Sequence, residues 1–95
     1  MEIESVSDKR LRRFLETGNP KGLPGDLVDR IFKMLAFTIE AETIDELSTP
    51  PNYGLHPLTG DRRGTWAMTV SRNWRMTFKL NEQNAITELD LEDYH

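Results

Sequence analysis

The stretch Thr65–Leu91, TWAMTVSRNWRMTFKLNEQNAITELDL, decides the fold. Trp66, Met68 and Val70 alternate with Thr65, Ala67 and Thr69, the two-residue period of a strand buried on one face. Ser71-Arg72-Asn73 turns the chain, and the period resumes with Trp74, Met76, Phe78 and Leu80 against Arg75, Thr77 and Lys79. Asn81 to Asn84 is a second turn, and Ala85 to Leu91 completes an antiparallel meander. If Trp74, Met76 and Phe78 face a core, Arg75, Thr77 and Lys79 occupy the opposite, open face. Read alone, such a face is ordinarily a solvated one.

Upstream of the meander, Gly54 to Leu58 reads as a short strand ended by a turn at Gly60-Asp61, and Thr49-Pro50-Pro51-Asn52 is an extended loop. Before that the period changes. Leu27, Ile31, Met34, Leu35 and Thr38 recur at three-to-four-residue spacing, predicting an amphipathic helix from about Pro24 to Ala41. Asp26 and Asp29 suit its N-terminal end. Thr43 and Glu46 have capping-box spacing in the short turn TIDEL. An earlier helix is capped by Asp8 and runs to about Thr17, where Gly18-Asn19-Pro20 stops it. Ile3 and Val6 are candidates for a short first strand. The sum is an α+β domain over residues 1–95: two N-terminal helices packed on one face of a small, mainly antiparallel sheet.

The chain has 95 residues, enough for one modest core, since typical domains hold roughly 100–150 residues. Its apolar fraction is 37% and its charged fraction 29%, a globular balance. The run Ile31–Ile39 is broken by Lys33 and falls short of the roughly 20 residues that cross a bilayer. The opening MEIESVSDKRLRRF carries charges where an export signal needs apolar residues. Cys is absent, which excludes disulfides, thiolate chemistry and Cys-based zinc sites. These features fit a cytosolic protein, and no cofactor, metal or membrane is expected.

Formal net charge is −4, but its distribution says more than its sum. Gly54–Leu80 holds five bases (Arg62, Arg63, Arg72, Arg75 and Lys79) against the single acid Asp61, whereas Asn81–His95 holds five acids and no base. A polyanion site belongs to that basic island. His56 lies just before it and His95 ends the sequence; a lone histidine is usually structural or simply exposed.

Three blocks go further than periodicity. LHPLTGDRRGTW (Leu55–Trp66), NWRMTF (Asn73–Phe78) and EDYH (Glu92–His95), in that order and spacing, resemble the HigB toxins of the RelE superfamily, plasmid-maintenance killer proteins. The resemblance covers nearly the whole chain. It implies a type II toxin: a ribosome-dependent mRNA endonuclease that cuts in the A site and is held inactive by a HigA-like helix-turn-helix antitoxin. Operator DNA would be met only through that antitoxin. The reaction implied is attack of a ribose 2′-OH on its own 3′-phosphate, which needs a base, an acid and positive charge on the phosphorane oxygens.

Carried over residue by residue, the resemblance implies His95 as acid or base, with Asp93 orienting it or sharing proton transfer. His56 is the second acid–base candidate and Tyr94 a stacking or positioning ring. Arg75 is the expected phosphate clamp, and Asn73, Arg72, Arg62 and Arg63 are the remaining RNA-binding candidates. Thr59 stands where relatives often carry lysine, so one positive contact is absent or moved to Arg62 or Arg63. Much of the acidity lies in Lys21–Leu47, a region left to face the antitoxin. The alternatives are a RelE-fold protein that mainly binds its antitoxin with weak or no RNA cleavage, and an unrelated α+β interaction module.

Overall fold

A computed structural model describes residues 1–94. Four strands form one sheet: β1 (His56–Pro57), β2 (Thr65–Thr69), β3 (Trp74–Leu80) and β4 (Ile86–Asp93), in the spatial order β1-β2-β3-β4 with every pairing antiparallel. Trp66 lies opposite Phe78 and Met68 opposite Met76, so the large apolar residues of β2 and β3 share one face. Three helices precede the sheet: α1 (Lys9–Thr17), α2 (Val28–Glu40) and the single turn α3 (Ile44–Leu47). Leu11, Ile31, Met34 and Leu35 pack into one buried cluster with Met68, Met76, Phe78, Leu89 and Leu91. The helices therefore cover the apolar face and leave the Arg75–Thr77–Lys79 face open. Among the described residues, no helix is long and apolar enough to cross a membrane.

The first helix begins and ends where its caps put it. Asp8 Oδ1 accepts the N–H groups of Arg10 at 2.8 Å and Leu11 at 3.0 Å. Gly18 closes the helix at φ 77, a left-handed conformation in which its N–H reaches the Phe14 carbonyl at 2.8 Å. The second helix starts later than the sequence suggests. Pro24 opens a 3-10 turn, Gly25–Leu27, in which the Leu27 N–H reaches the Pro24 carbonyl at 2.9 Å; regular helix begins only at Val28. That tighter turn lets Leu27 and Val28 both lean on the core.

Two expectations about strands need correction. The Gly54–Leu58 segment contributes only His56 and Pro57 to the sheet. Gly54 turns the chain at φ 56, and Pro57 has no N–H to extend a ladder. The second correction is at the N-terminus, where Ile3 and Val6 make two isolated parallel bridges, to Ile86 and Leu89, instead of a continuous strand. The reason is a bulge in β4. Between the pairs Thr77–Asp90 and Lys79–Thr87 that strand carries one extra residue, and Glu88 sits at φ 53. The Glu88 N–H leaves the ladder and bonds Ser5 Oγ at 2.8 Å. The bulge also lets Ile86, Leu89 and Leu91 all face the helices, which strict alternation forbids.

One side chain of α2 fixes the far end of the sheet. Arg30 donates from Nε to the Val70 carbonyl at 2.8 Å and from Nη2 to the Asn52 carbonyl at 3.1 Å. It thereby ties the loop that leads into β1 to the end of β2, on the edge that carries His56.

Candidate active site

Register arranges the open face in cross-strand rows. His56 lies opposite Ala67, Ala67 opposite Thr77, and Thr77 opposite Asp90. In the next row Thr69 lies opposite Arg75 and Arg75 opposite Glu92. Directly opposed residues of an antiparallel pair share a face. His56, Arg75 and Glu92 thus stand on the same side of the sheet, away from the helices.

Glu92 organises this face. It takes a bidentate pair from Arg62, Nη1 to Oε1 at 2.8 Å and Nη2 to Oε2 at 2.5 Å. Arg75 donates to the same Oε1 from Nε at 3.2 Å and from Nη2 at 3.1 Å. Thr77, only 2% exposed, donates its hydroxyl to Oε2 at 2.9 Å. Arg62 comes from the 3-10 turn Gly60–Arg62, so the carboxylate joins a loop before β2 to the two central strands. Hydrogen bonds from Arg62, Thr77 and Arg75 outweigh the cost of partial burial and hold the Glu92 carboxyl down at about 2, against the usual 4.5. The same Arg62–Glu92 bond raises the Arg62 guanidinium further above its ordinary value.

Arg75 has a second neighbour. Its guanidinium carbon lies 4.7 Å from the centre of the Tyr94 ring, a cation–π contact. Tyr94 is held by its own N–H, which reaches the Asn73 carbonyl at 2.8 Å. The turn residue Asn73 therefore anchors the Tyr94 backbone and so helps bring the ring to Arg75. At the opposite edge, His56 is exposed, and its Nδ1 lies 2.8 Å from the Gly54 carbonyl. With Nδ1 as the donor, Nε2 is the nitrogen left to accept a proton.

The structure thus brings Arg62, Arg75 and Tyr94 into one cluster and places His56 on the same face. Arg63 and Arg72 are exposed, and their side chains form no hydrogen bond or ion pair among the described residues. Asp93 is paired in register with Trp74, and alternation assigns it to the face opposite Glu92. His95 lies outside the described residues. Two members of the site have no role in the sequence reading: Glu92, noticed there only as part of the EDYH block, and Thr77. A signal for both existed. An acid and a base at opposed positions of a hairpin tend to pair, and a threonine within a charged row is a ready donor.

Solved structures share this fold. YafQ from E. coli strain BL21(DE3) superposes with a TM-score of 0.63 at 14% identity, over 98% of this chain and 93% of that one. The YoeB/ParE toxin from Agrobacterium tumefaciens gives 0.55 at 14% identity, over 100% and 99%. The E. coli DinJ-YafQ toxin-antitoxin complex gives 0.51 at 14% identity, over 98% and 93%. These likenesses define the class by fold, a small α+β domain with helices on one face of an antiparallel sheet. Sequence narrows it. Residues 4–95 match the family of RelE-like toxins of type II toxin-antitoxin systems, HigB. The Endoribonuclease HigB of Proteus vulgaris is 43% identical over 93 residues, 98% of this chain and 99% of that protein. The chain belongs to the HigB family of RelE-like toxins.

Proposed function

We propose that this toxin is an endoribonuclease that cuts mRNA in the ribosomal A site. The observation that carries the reading is the joining of Arg75, Arg62 and Tyr94 on an open sheet face: two guanidinium forks for a phosphate beside a ring for an unstacked base. In the proposed step a ribose 2′-OH loses its proton and its oxygen attacks the adjacent phosphorus. The P–O5′ bond breaks, leaving a 2′,3′-cyclic phosphate on one fragment and a protonated 5′-OH on the other. His95 and His56 are the proposed base and acid, in either order, and Asp93 orients His95 or shares its proton transfer. Arg75 stabilises charge on the phosphorane oxygens. Asn73, Arg63 and Arg72 are the further residues proposed to contact the RNA.

Ribosome dependence follows from charge. The protein is −4 overall, and a carboxylate already occupies two bases of its basic island. Free RNA is held weakly by such a surface, and the ribosome supplies the orientation that a small protein lacks. Purified toxin incubated with mRNA on 70S ribosomes should cut it and leave naked mRNA of the same sequence nearly intact. Equal cutting of both overturns the ribosome requirement.

The proposed partner is a HigA-like helix-turn-helix antitoxin, through which the complex meets operator DNA. Family membership supports an antitoxin, as does the fold shared with the toxin of the DinJ-YafQ complex. Phe32 and Ile39 on α2 stand 58% and 50% exposed beside Phe14 and Leu15 of α1, apolar surface of the kind a partner covers. Co-expression with the adjacent small gene should restore growth and yield a complex that survives purification. The site of action is then the cytoplasm.

A further inference from the structure

We propose that Glu92 is a built-in surrogate for an RNA phosphate: it occupies the Arg62 and Arg75 forks when no RNA is bound, and a backbone phosphate must displace it from them. The inference rests on the reading above that the ligand is RNA. Its basis is the donor set. A single carboxylate receives five hydrogen bonds, from two guanidinium groups and a buried hydroxyl. Bidentate forks of this kind match carboxylate and phosphate geometry equally well. The held anion preorganises the two arginines for a phosphate and at the same time competes with it. Because Arg75 also lies 4.7 Å from the Tyr94 ring centre, exchange of its anion is felt at the stacking ring.

The competition has a direction. Arg62, Arg75 and Glu92 together carry one positive charge; without the carboxylate they carry two. Removing the charge while keeping the shape should therefore tighten RNA binding, whereas a purely structural role predicts weaker binding. Glu88 provides the control. It lies on the same strand, is exposed, and among the described residues its carboxylate pairs only with Lys79, at 3.6 Å.

Binding is measured by fluorescence anisotropy with a fully 2′-O-methylated oligoribonucleotide, which the toxin cannot cut, for wild type, Glu92→Gln, Glu92→Asp and Glu88→Gln. Glu92→Gln should bind about 10-fold tighter, with a log–log salt slope steeper by about 0.7, the value of one extra phosphate contact on a single strand. Glu92→Asp should return to wild-type affinity, and Glu88→Gln should shift it less than about 2-fold. A Glu92→Gln protein that binds no tighter than Glu88→Gln overturns the proposal. A second measurement needs no variant: the Nε–H NMR signals of Arg62 and Arg75 in wild type should move as the same oligonucleotide is added. If they stay in place while other signals shift, Glu92 is not displaced and the surrogate role fails. Both measurements use RNA that is never cut, so absence of ribosome-dependent cleavage would sink the proposed activity without deciding this point.

Discussion

The same two central strands build opposite things on their two faces. Toward the helices, Met68, Met76, Phe78, Leu89 and Leu91 are almost wholly buried in one apolar cluster. Away from them, Arg75, Thr77 and Glu92 form a hydrogen-bonded network that reaches out to Arg62 and Tyr94. The covered face stabilises through area removed from water, which is indifferent to exact pairing. The open face depends on which residue lies opposite which, because two hydrogen-bonded charges must meet to within a few tenths of an ångström. Core stability and the proposed RNA chemistry are therefore separable here by face, although the two faces share one backbone.

The largest effect that tests this separation is expected at His95. His95→Ala should slow mRNA cleavage on ribosomes by roughly 100- to 10,000-fold, the usual worth of a proton-transfer group. The denaturation midpoint should stay where it is. Deleting Asp93, Tyr94 and His95 should be at least as severe for cleavage, since it also removes the ring on Arg75. If both proteins accumulate normally and remain fully toxic, His56 and Arg75 take over as the leading candidates for the chemistry.

On the covered face the opposite pattern is expected. Phe78→Ala empties the centre of the core and should cost about 3–5 kcal/mol of stability, read by urea denaturation. Whatever fraction remains folded should bind RNA as wild type does. A folded Phe78→Ala protein with lost RNA binding would show that the faces are coupled.

Acid probes the open face through Glu92 and, separately, the Asp8 cap of α1, whose carboxyl is also lowered despite its partial burial. The Glu92 carboxyl is lowered from the usual 4.5 to about 2 on folding, so the folded protein releases its proton more readily than the unfolded chain. Its contribution is fully present above about pH 4.5 and is lost as pH falls toward 2. Discounted for a side chain 21% exposed, that contribution is on the order of 2 kcal/mol. Urea midpoints measured from pH 6 down to pH 2.5 should fall in wild type and fall less in Glu92→Gln. Parallel curves would assign the acid sensitivity elsewhere. The smallest effect is expected at Lys79→Ala, which breaks an exposed pair and should change stability by less than about 0.5 kcal/mol.

Sequence alone determined which face is which. The two-residue period of Trp66–Val70 and Trp74–Leu80, the Asp8 cap, the Gly18 stop and the stripe from Ile31 to Thr38 are local features. Each is dictated by backbone geometry within a few residues, so each can be read without knowing the rest of the chain. The basic island was legible for the same reason, as were the three blocks that placed the chain with its family. The late start of α2 and the shortness of β1 were less so, since a 3-10 turn and a proline edge are settled by what packs beside them. The bulge at Glu88 left a trace in the three-residue step from Ile86 to Leu89, which alternation cannot accommodate.

What only the tertiary structure decided is the fate of the charges. Arg62 and Glu92 are 30 residues apart, and Arg75 and Glu92 are 17 apart. No rule of spacing joins Arg62 to Glu92, and the pairing of Arg75 with Glu92 shows only once the hairpin register is known. The register of β3 on β4 sets Arg75 opposite Glu92, and the turn before β2 delivers Arg62 to the same carboxylate. A face that reads as freely basic in one dimension is in three dimensions a pair of arginines already holding an anion. Coulomb attraction acts through space, and the distance that governs it is set by the fold.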